Sequence, residues 1–368
     1  FTQTSAICIA MLRFGRHKSP RDLVLQLQSA LRSLLQHSSS DSREFKRAHE
    51  EVAKSIASLK LLLTNRLEAS GAGSSNRESH EAAIEKSRLS EALSEVTRVA
   101  FSQECSGFLP MLLDCIDRVD FECAKFIEHL FGNLLSKQIG NRYPAVEYIL
   151  ENRQVLYKLV DGYHRPEHAI TFGGMLREAC RHERVAEAFL WDSSGFYRLF
   201  DHVHGTAFDV SSDAFTTLKD LLTRHKAVVA RFLEQNYVEF FDNYKRLIES
   251  ENYVTKRQAL KLLGEILLDR YNYSVMTKYI ASADNLKPIM NALKSRQKQI
   301  AFEAFHCFKV FVANPHKPRA VQSILVQNRD RLVEFLQRFQ SDRQSDSQFV
   351  DEKQYLIRQI QELSPIEA

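Results

Sequence analysis

The residues best suited to catalysis in this chain are histidines beside glutamates, a pairing that zinc hydrolases use. His49, His80 and His182 each precede a glutamate. A zinc-binding helix of this type needs a second histidine three residues after the glutamate, so that two imidazoles share one helix face. None of the three pairs has that histidine. The pairs therefore exclude a zinc hydrolase of this class.

Other catalytic and ion-binding motifs are also missing from the sequence. There is no GxGxxG or GK[ST] loop to hold phosphate and no GxSxG nucleophile elbow. His202 and His204, the closest histidine pair, have no nearby cysteine, and we interpret them as partly exposed loop residues. The acidic stretch 342–352 lacks the glycine of a calcium loop. We expect no enzymatic activity, no metal and no cofactor.

Composition indicates an intracellular helical protein. Six cysteines have no CxxC pair and irregular spacing, so we interpret them as buried thiols in a reducing, cytoplasmic compartment. No apolar run approaches the roughly 18 residues that span a bilayer, so we expect no membrane insertion. The net charge of +4, from 50 basic and 46 acidic residues, does not by itself indicate nucleic-acid binding.

One predicted helix carries side chains that could bind a partner. In a helix that begins at Tyr253, the side chains of Tyr253, Arg257 and Lys261 fall within about 80° of one another. Gly264 and Leu268 lie in the same sector, and we expect the glycine to lower the profile of this face. The face could receive an apolar side chain beside a carboxylate, which Arg257 would grip with two hydrogen bonds. The alternative is a solvated helix side with a gap-filling tyrosine.

The elements that must position this face are predicted from a repeat. Alanine returns every 45 residues, at Ala124, Ala169, Ala214, Ala259 and Ala304. An apolar residue follows each alanine seven positions later, and the i, i+3, i+7 spacing marks one helix face. A helical period near 45 is typical of armadillo or HEAT-type units, which bury their apolar faces by stacking on their neighbours. The period predicts an all-α, HEAT/armadillo-like solenoid, a curved rod with a concave binding face.

The chain is expected to form a single solenoid over residues 19–363 rather than several domains. Pro20 suits the first position of a helix that has leucines at helical spacing on one face. A second helix should end near Leu63. We expect a flexible loop at 66–80 and a last helix from Asp351 to Leu363. Residues 1–18 are expected to be a partly disordered extension and 364–368 a tail. One hypothesis is that translation begins at Met11.

Several long strings resemble the Mo twenty-five (calcium-binding protein 39) scaffold family. They include KDLLTRHK at 219–226, SENYVTKRQ at 250–258 and KVFVANP at 309–315. The resemblance is densest from Tyr143 to Pro315. Members of that family are helical-repeat crescents without enzymatic activity that bind sterile-twenty-type kinases and a related pseudokinase. The resemblance implies a scaffold that holds a kinase in its active conformation.

The resemblance also implies roles for individual residues. It assigns binding of a Trp-Glu-Phe tail of the pseudokinase to Tyr253, Arg257, Lys261 and Met290. It assigns contact with the kinase domain to Phe208, Arg270 and Tyr273. Two positions depart from the family: Tyr273 is phenylalanine in familiar members, and Gln327 stands where they place a concave lysine. The glutamine puts one cationic contact in doubt.

A general peptide-binding or nucleic-acid-binding adaptor is the alternative function. A nucleic-acid-binding solenoid would need basic residues repeated along one face with aromatic residues between them. Glu265 and Asp269 interrupt such a row in this chain. No nucleic acid is therefore expected as a partner, although the helical-repeat fold alone allows either kind of adaptor.

Overall fold

The computed structural model of the chain describes residues 18–37, 42–63, 77–205, 207–343 and 345–364, with the backbone alone at 77–85. Met11, almost all of the predicted extension 1–18 and most of the predicted loop 66–80 lie outside the described residues, as do residues 365–368 of the tail. The last four residues of that loop are described, and they already belong to a helix that begins at Arg77.

The all-α prediction is confirmed. Within the described residues, β structure is limited to an isolated bridge between Ile139 and Arg142. The chain divides into two compact units, one ending at His182 and the other beginning at Glu183. The single solenoid over 19–363 stays a prediction.

Within the described residues, the first unit is built of helices. They are α1 (Pro20–Gln36), α2 (Arg43–Leu63), α3 (Arg77–Ala100), α4 (Phe108–Asp114), α5 (Phe121–Ser136), α6 (Pro144–Glu151), α7 (Gln154–Asp161) and α8 (Ala169–Ala179). α1 begins where Pro20 predicts, because Ser19 and Asp22 form a reciprocal capping box. α2 ends at Leu63 as predicted.

The second unit continues the same helical pattern. Its helices are α9 (Glu183–Leu190), α10 (Ser193–Phe196), α11 (Arg198–Val203), α12 (Phe208–Arg224), α13 (Lys226–Gln235), α14 (Tyr237–Ile248), α15 (Tyr253–Leu268), α16 (Tyr273–Ile280), α17 (Ala283–Leu293), α18 (Lys298–Ala313), α19 (Arg319–Gln327), α20 (Arg329–Arg338) and α21 (Ser347–Gln361). The short turn Arg270–Asn272, a 3₁₀ helix, joins α15 to α16.

The 45-residue alanine register lies in the core, as the repeat predicts. The five alanines fall in α5, α8, α12, α15 and α18, and every one is buried. In the first unit α5 packs against α8, and in the second α12 packs against α15 and α15 against α18. A small residue at these positions lets neighbouring helices approach closely. The helical repeat is therefore built on the register seen in the sequence.

The register extends one step further than the alanines show. Phe349, which follows Ala304 by 45 residues, is buried in α21, and α21 packs against α18. The predicted start of the last helix at Asp351 is wrong by four residues. The helix begins at Ser347 because the Asp346 carboxylate caps it, accepting a hydrogen bond of 3.1 Å from the Phe349 amide.

The described cysteines are buried thiols, as predicted. They are Cys105, Cys115, Cys123, Cys180 and Cys307, whereas Cys8 lies outside the described residues. Burial raises the pKa of Cys115 and of Cys307 to about 12, so both thiols are protonated at neutral pH. Of the helices in the described part of the chain, none is both long and apolar enough to cross a membrane.

Candidate protein-docking face

Helix α15 begins at the predicted residue because an asparagine caps it. The Asn252 side-chain oxygen accepts hydrogen bonds from the amides of Val254 at 2.9 Å and Thr255 at 3.2 Å. Tyr253 therefore takes the first helical position, and Arg257 and Lys261 follow it at intervals of about one turn. Local sequence thus fixes the spacing of the three side chains along the helix.

Packing of α15 decides that these side chains face outward. The opposite side of the helix is buried between α12 and α18 through apolar residues such as Ala259 and Leu263. Tyr253 is 37% exposed, the Arg257 side chain is 43% exposed, and Lys261 is exposed. These three residues share one side of α15, and together they form a surface that we call the docking face.

Gly264 does not contribute to the docking face, which corrects the expectation that it lowers the profile there. The residue is buried, and a Cβ atom built on it would lie 3.9 Å from the Cys307 sulfur of α18. The helical sector that holds Gly264 and the docking face is therefore partly covered by the neighbouring helix. Leu268, in the same sector but at the end of α15, is 61% exposed.

An internal carboxylate lies beside the central residue of the docking face. The Nε atom of Arg257 is 3.6 Å from Oε1 of Glu303, which belongs to α18 and whose side chain is only 12% exposed. Sequence reasoning missed Glu303. The spacing could have indicated it, because Glu303 follows Arg257 by one repeat plus one residue, a separation at which stacked helices meet.

The two acidic residues near the end of α15 are paired with lysines. Glu265 binds Lys219 of α12 at 3.0 Å, and Asp269 binds Lys226 of α13 at 2.7 Å. Burial alone would raise the pKa of Asp269, but hydrogen bonds from Lys226 and the Tyr271 amide hold that pKa below its ordinary value. These lysines are therefore engaged within the protein rather than free to bind an anionic partner.

The residues expected to contact a kinase domain fall at both ends of α15. Phe208, exposed at the start of α12, borders a small cleft with Asn252 and Thr255 at the start of α15. Arg270 and Tyr273 instead follow the end of α15. The structure therefore divides the kinase-contact group into two places on either side of the docking face.

A groove lies at the Arg270 end. It is lined by Thr223, Lys226, Val229, Leu268, Arg270 and Tyr271. The guanidinium carbon of Arg270 lies 5.4 Å from the centre of the Tyr271 ring, whereas Tyr273 is 70% exposed. Tyr271 supplies exposed apolar surface that sequence reasoning did not assign to a site, next to Leu268, which the sequence places in the sector of the docking face.

Met290 is not part of the exposed docking face. It lies in α17, is 7% exposed, and belongs to a helix that packs against α18 and α19. One turn further along α17 is a groove that is lined by the apolar residues Leu293, Phe335 and Phe339 and also by Arg331. Gln327, the last residue of α19, is exposed.

Comparisons with known proteins cover nearly the whole chain. A family model described as Mo25-like matches residues 12–364. The chain is 44% identical over 349 residues to "Calcium-binding protein 39-like" of Homo sapiens, covering 94% of this chain and 96% of that protein. It is 46% identical over 352 residues to "MO25-like protein 2" of Caenorhabditis elegans, covering 95% and 98% respectively. The matched region contains every residue of the docking face.

Proposed function

This chain belongs to the Mo25-like family, and we propose that it is a non-catalytic cytoplasmic scaffold that binds and activates protein kinases of the sterile-twenty type. The partner is a single kinase or a kinase together with a pseudokinase. Family membership supports a scaffold protein. The docking face supports protein binding in particular, because a half-exposed arginine, an exposed lysine and an exposed tyrosine share one side of α15.

The docking face suits a segment that places a carboxylate beside a large apolar side chain. Arg257 can bind a carboxylate through charge-assisted hydrogen bonds, each worth about 1.5–3 kcal/mol. Tyr253 offers a ring for apolar contact, and Lys261, one turn on, adds a second cation. We propose that the Trp-Glu-Phe tail of a partner docks on these three residues, and that Met290 contributes from α17.

Activation is proposed to depend on a second contact. Phe208, Arg270 and Tyr273 would bind the kinase domain. A scaffold that binds the active conformation better than the inactive one shifts the population by the difference in affinity. A reversal from 1:99 to 99:1 needs about 5.5 kcal/mol, which requires a wide contact rather than a tail alone.

A nucleic-acid-binding adaptor has less support. Glu265 and Asp269 are paired with Lys219 and Lys226, so lysines near the end of α15 are neutralised by carboxylates. A surface that binds a phosphate backbone needs cations that are not already paired.

Two assays test the proposal. Fluorescence anisotropy measures the binding of a labelled peptide that ends in Trp-Glu-Phe, and a phosphorylation assay measures activation of a sterile-twenty-type kinase. Arg257→Ala should weaken peptide binding, whereas Arg270→Ala should spare the peptide and reduce activation. Equal losses in both assays for both variants would refute the division into two contacts. No binding and no activation by the wild-type protein would refute the function.

A further inference from the structure

We propose that Glu303 is a specificity-determining residue of the docking face, because it competes with the partner's carboxylate for Arg257. When a partner's carboxylate binds Arg257, one ion pair replaces another, so the carboxylate alone contributes little binding free energy. Tight binding requires an apolar side chain as well. This inference rests on the proposed docking at Tyr253, Arg257 and Lys261.

The geometry of the pair allows exchange. The separation of 3.6 Å between Arg257 Nε and Glu303 Oε1 is longer than a hydrogen bond, so this contact does not use the hydrogen-bonding capacity of the guanidinium. Arg257 is partly exposed on α15, whereas the Glu303 side chain is nearly buried on α18. The guanidinium can therefore turn toward a partner, but the carboxylate cannot follow it into solvent.

Exchange leaves the Glu303 carboxylate without its ion-pair partner, which is unfavourable in free energy. Among the described residues, the ion pair that Glu303 forms within 4.0 Å is the one with Arg257. A nearly buried charge without its partner is destabilising. The Glu303 charge already acts on its surroundings: burial raises the pKa of Cys307 to about 12, and the nearby Glu303 carboxylate contributes to that rise. A ligand that offers only a carboxylate must overcome this cost.

Apolar surface beside Arg257 supplies the compensation. Tyr253 precedes Arg257 by one turn of α15, and it is exposed. A partner side chain that covers such surface gains free energy independently of Glu303. The partner class is therefore a segment with an acidic residue next to a large apolar one.

The repeat does not require a carboxylate at this position. The residues 45 positions before and after Glu303 are Gln258 in α15 and Gln348 in α21. Two neighbouring helices therefore accommodate a glutamine at the same register. Glu303→Gln accordingly removes the charge while keeping a side chain that the architecture accepts.

The decisive experiment measures peptide affinity for Glu303→Gln by fluorescence anisotropy. The variant should bind the peptide that ends in Trp-Glu-Phe about three- to tenfold more tightly than the wild type, because a competing ion pair is removed. The gain should vanish when the peptide ends in Trp-Gln-Phe, and also in an Arg257→Gln background. Glu352→Gln, a matched control that removes a carboxylate from the α18–α21 contact, should leave the affinity unchanged.

The outcomes separate this inference from the proposed docking. Equal or weaker binding of the Trp-Glu-Phe peptide by Glu303→Gln, with wild-type binding intact, overturns the inference alone. A peptide that binds neither protein overturns the docking and the inference together. Thermal unfolding of each variant checks that the fold is retained, and Glu303→Met, which also removes the charge, provides a second variant if the glutamine destabilises the protein.

Discussion

Equivalent sides of α15 and α18, at the same positions of the 45-residue repeat, differ in how much surface they offer to a partner. Arg257 and Lys261 of α15 correspond, 45 residues later, to Phe302 and His306 of α18. On α15 the cations are exposed or half-exposed, and Arg257 has one loose contact with Glu303. On α18 the corresponding side chains are engaged within the protein.

The engaged cluster on α18 involves the neighbouring helix α21. The ring centres of Phe302 and His306 are 4.5 Å apart, and the guanidinium carbon of Arg343 lies 4.0 Å from the centre of the Phe302 ring. Lys309 binds Glu352 of α21 at 2.7 Å. Phe302 also contacts the ring of Phe349, with 5.7 Å between centres. These contacts leave little of the α18 side for a partner.

The repeat register determines where a side chain lies but not whether it is available. Both helices place equivalent positions on the same side of the repeat. Their neighbours are not equivalent: Arg343, in the turn before α21, and Phe349 of α21 contact the α18 residues, whereas α18 brings one carboxylate to the α15 residues. We therefore expect substitutions on α18 to affect stability and substitutions on α15 to affect binding.

The largest effect is expected where both regions depend on the same residue. Ala304→Leu adds volume to a fully buried position in α18, the helix that packs against both α15 and α21. Overpacking should lower the free energy of unfolding by about 1–3 kcal/mol. Urea unfolding followed by the fluorescence of Trp191, the single tryptophan, measures this change. Ala313→Leu, at the exposed end of α18, should change stability by less than about 0.5 kcal/mol.

A pair of aromatic truncations tests the comparison directly. Phe302→Ala removes the centre of the α18 cluster and should lower the free energy of unfolding by about 1–2 kcal/mol, less than for a fully buried phenylalanine because Phe302 is half-buried. Its affinity for the Trp-Glu-Phe peptide should not change. Tyr253→Ala should show the reverse pattern in the same two assays. Comparable loss of peptide binding in both variants would contradict the distinction between the two regions.

Acid should weaken the α18 cluster. Burial lowers the pKa of His306 below its ordinary value of 6.5, and Lys309 and Arg343 lower it further, against the opposing effects of Glu352 and Asp346. Below about pH 6.5 the unfolded chain therefore binds a proton that the folded protein resists, so stability falls as the pH decreases.

Between about pH 7 and 5 the free energy of unfolding should fall less in His306→Gln than in the wild type, by a difference below about 1 kcal/mol. Urea unfolding at several pH values measures this difference. Part of the dependence should persist, because burial also lowers the pKa of His204. Lys261→Gln, at the equivalent position on α15, should leave the pH dependence unchanged. An identical pH dependence in His306→Gln and the wild type would show that folding does not lower the pKa of His306.

The smallest effect is expected for an exposed ion pair between neighbouring helices. The Lys219–Glu265 pair beside the docking face is more exposed than the Lys309–Glu352 pair on α18. Lys219→Ala should lower the free energy of unfolding by a few tenths of a kcal/mol, as is usual for exposed pairs, and Lys309→Ala by about 1 kcal/mol. Urea unfolding at low and high salt measures both, with the larger salt response expected for the wild type. A greater loss for Lys219→Ala would reverse the order that burial predicts.

Much of the fold and part of the site can be predicted from sequence patterns. The alanine register predicts which helices stack, and the spacing of Tyr253, Arg257 and Lys261 predicts their common face, because both depend on helical periodicity. Periodicity does not reveal Phe349 as the next member of the register, since an aromatic residue replaces the alanine. It also misplaces Gly264, because a helical wheel omits the neighbouring helix that covers it.

An all-α repeat, and the side of α15 on which Tyr253, Arg257 and Lys261 lie, follow from the amino-acid order alone, since local hydrogen bonding and a fixed residue spacing are enough to set both. The position of Arg257 beside Glu303, the burial of Met290 and the contact between Phe302 and Arg343 follow from packing instead. Such contacts join residues far apart in the chain, and they depend on how the helices pack and which side-chain conformations that packing leaves available.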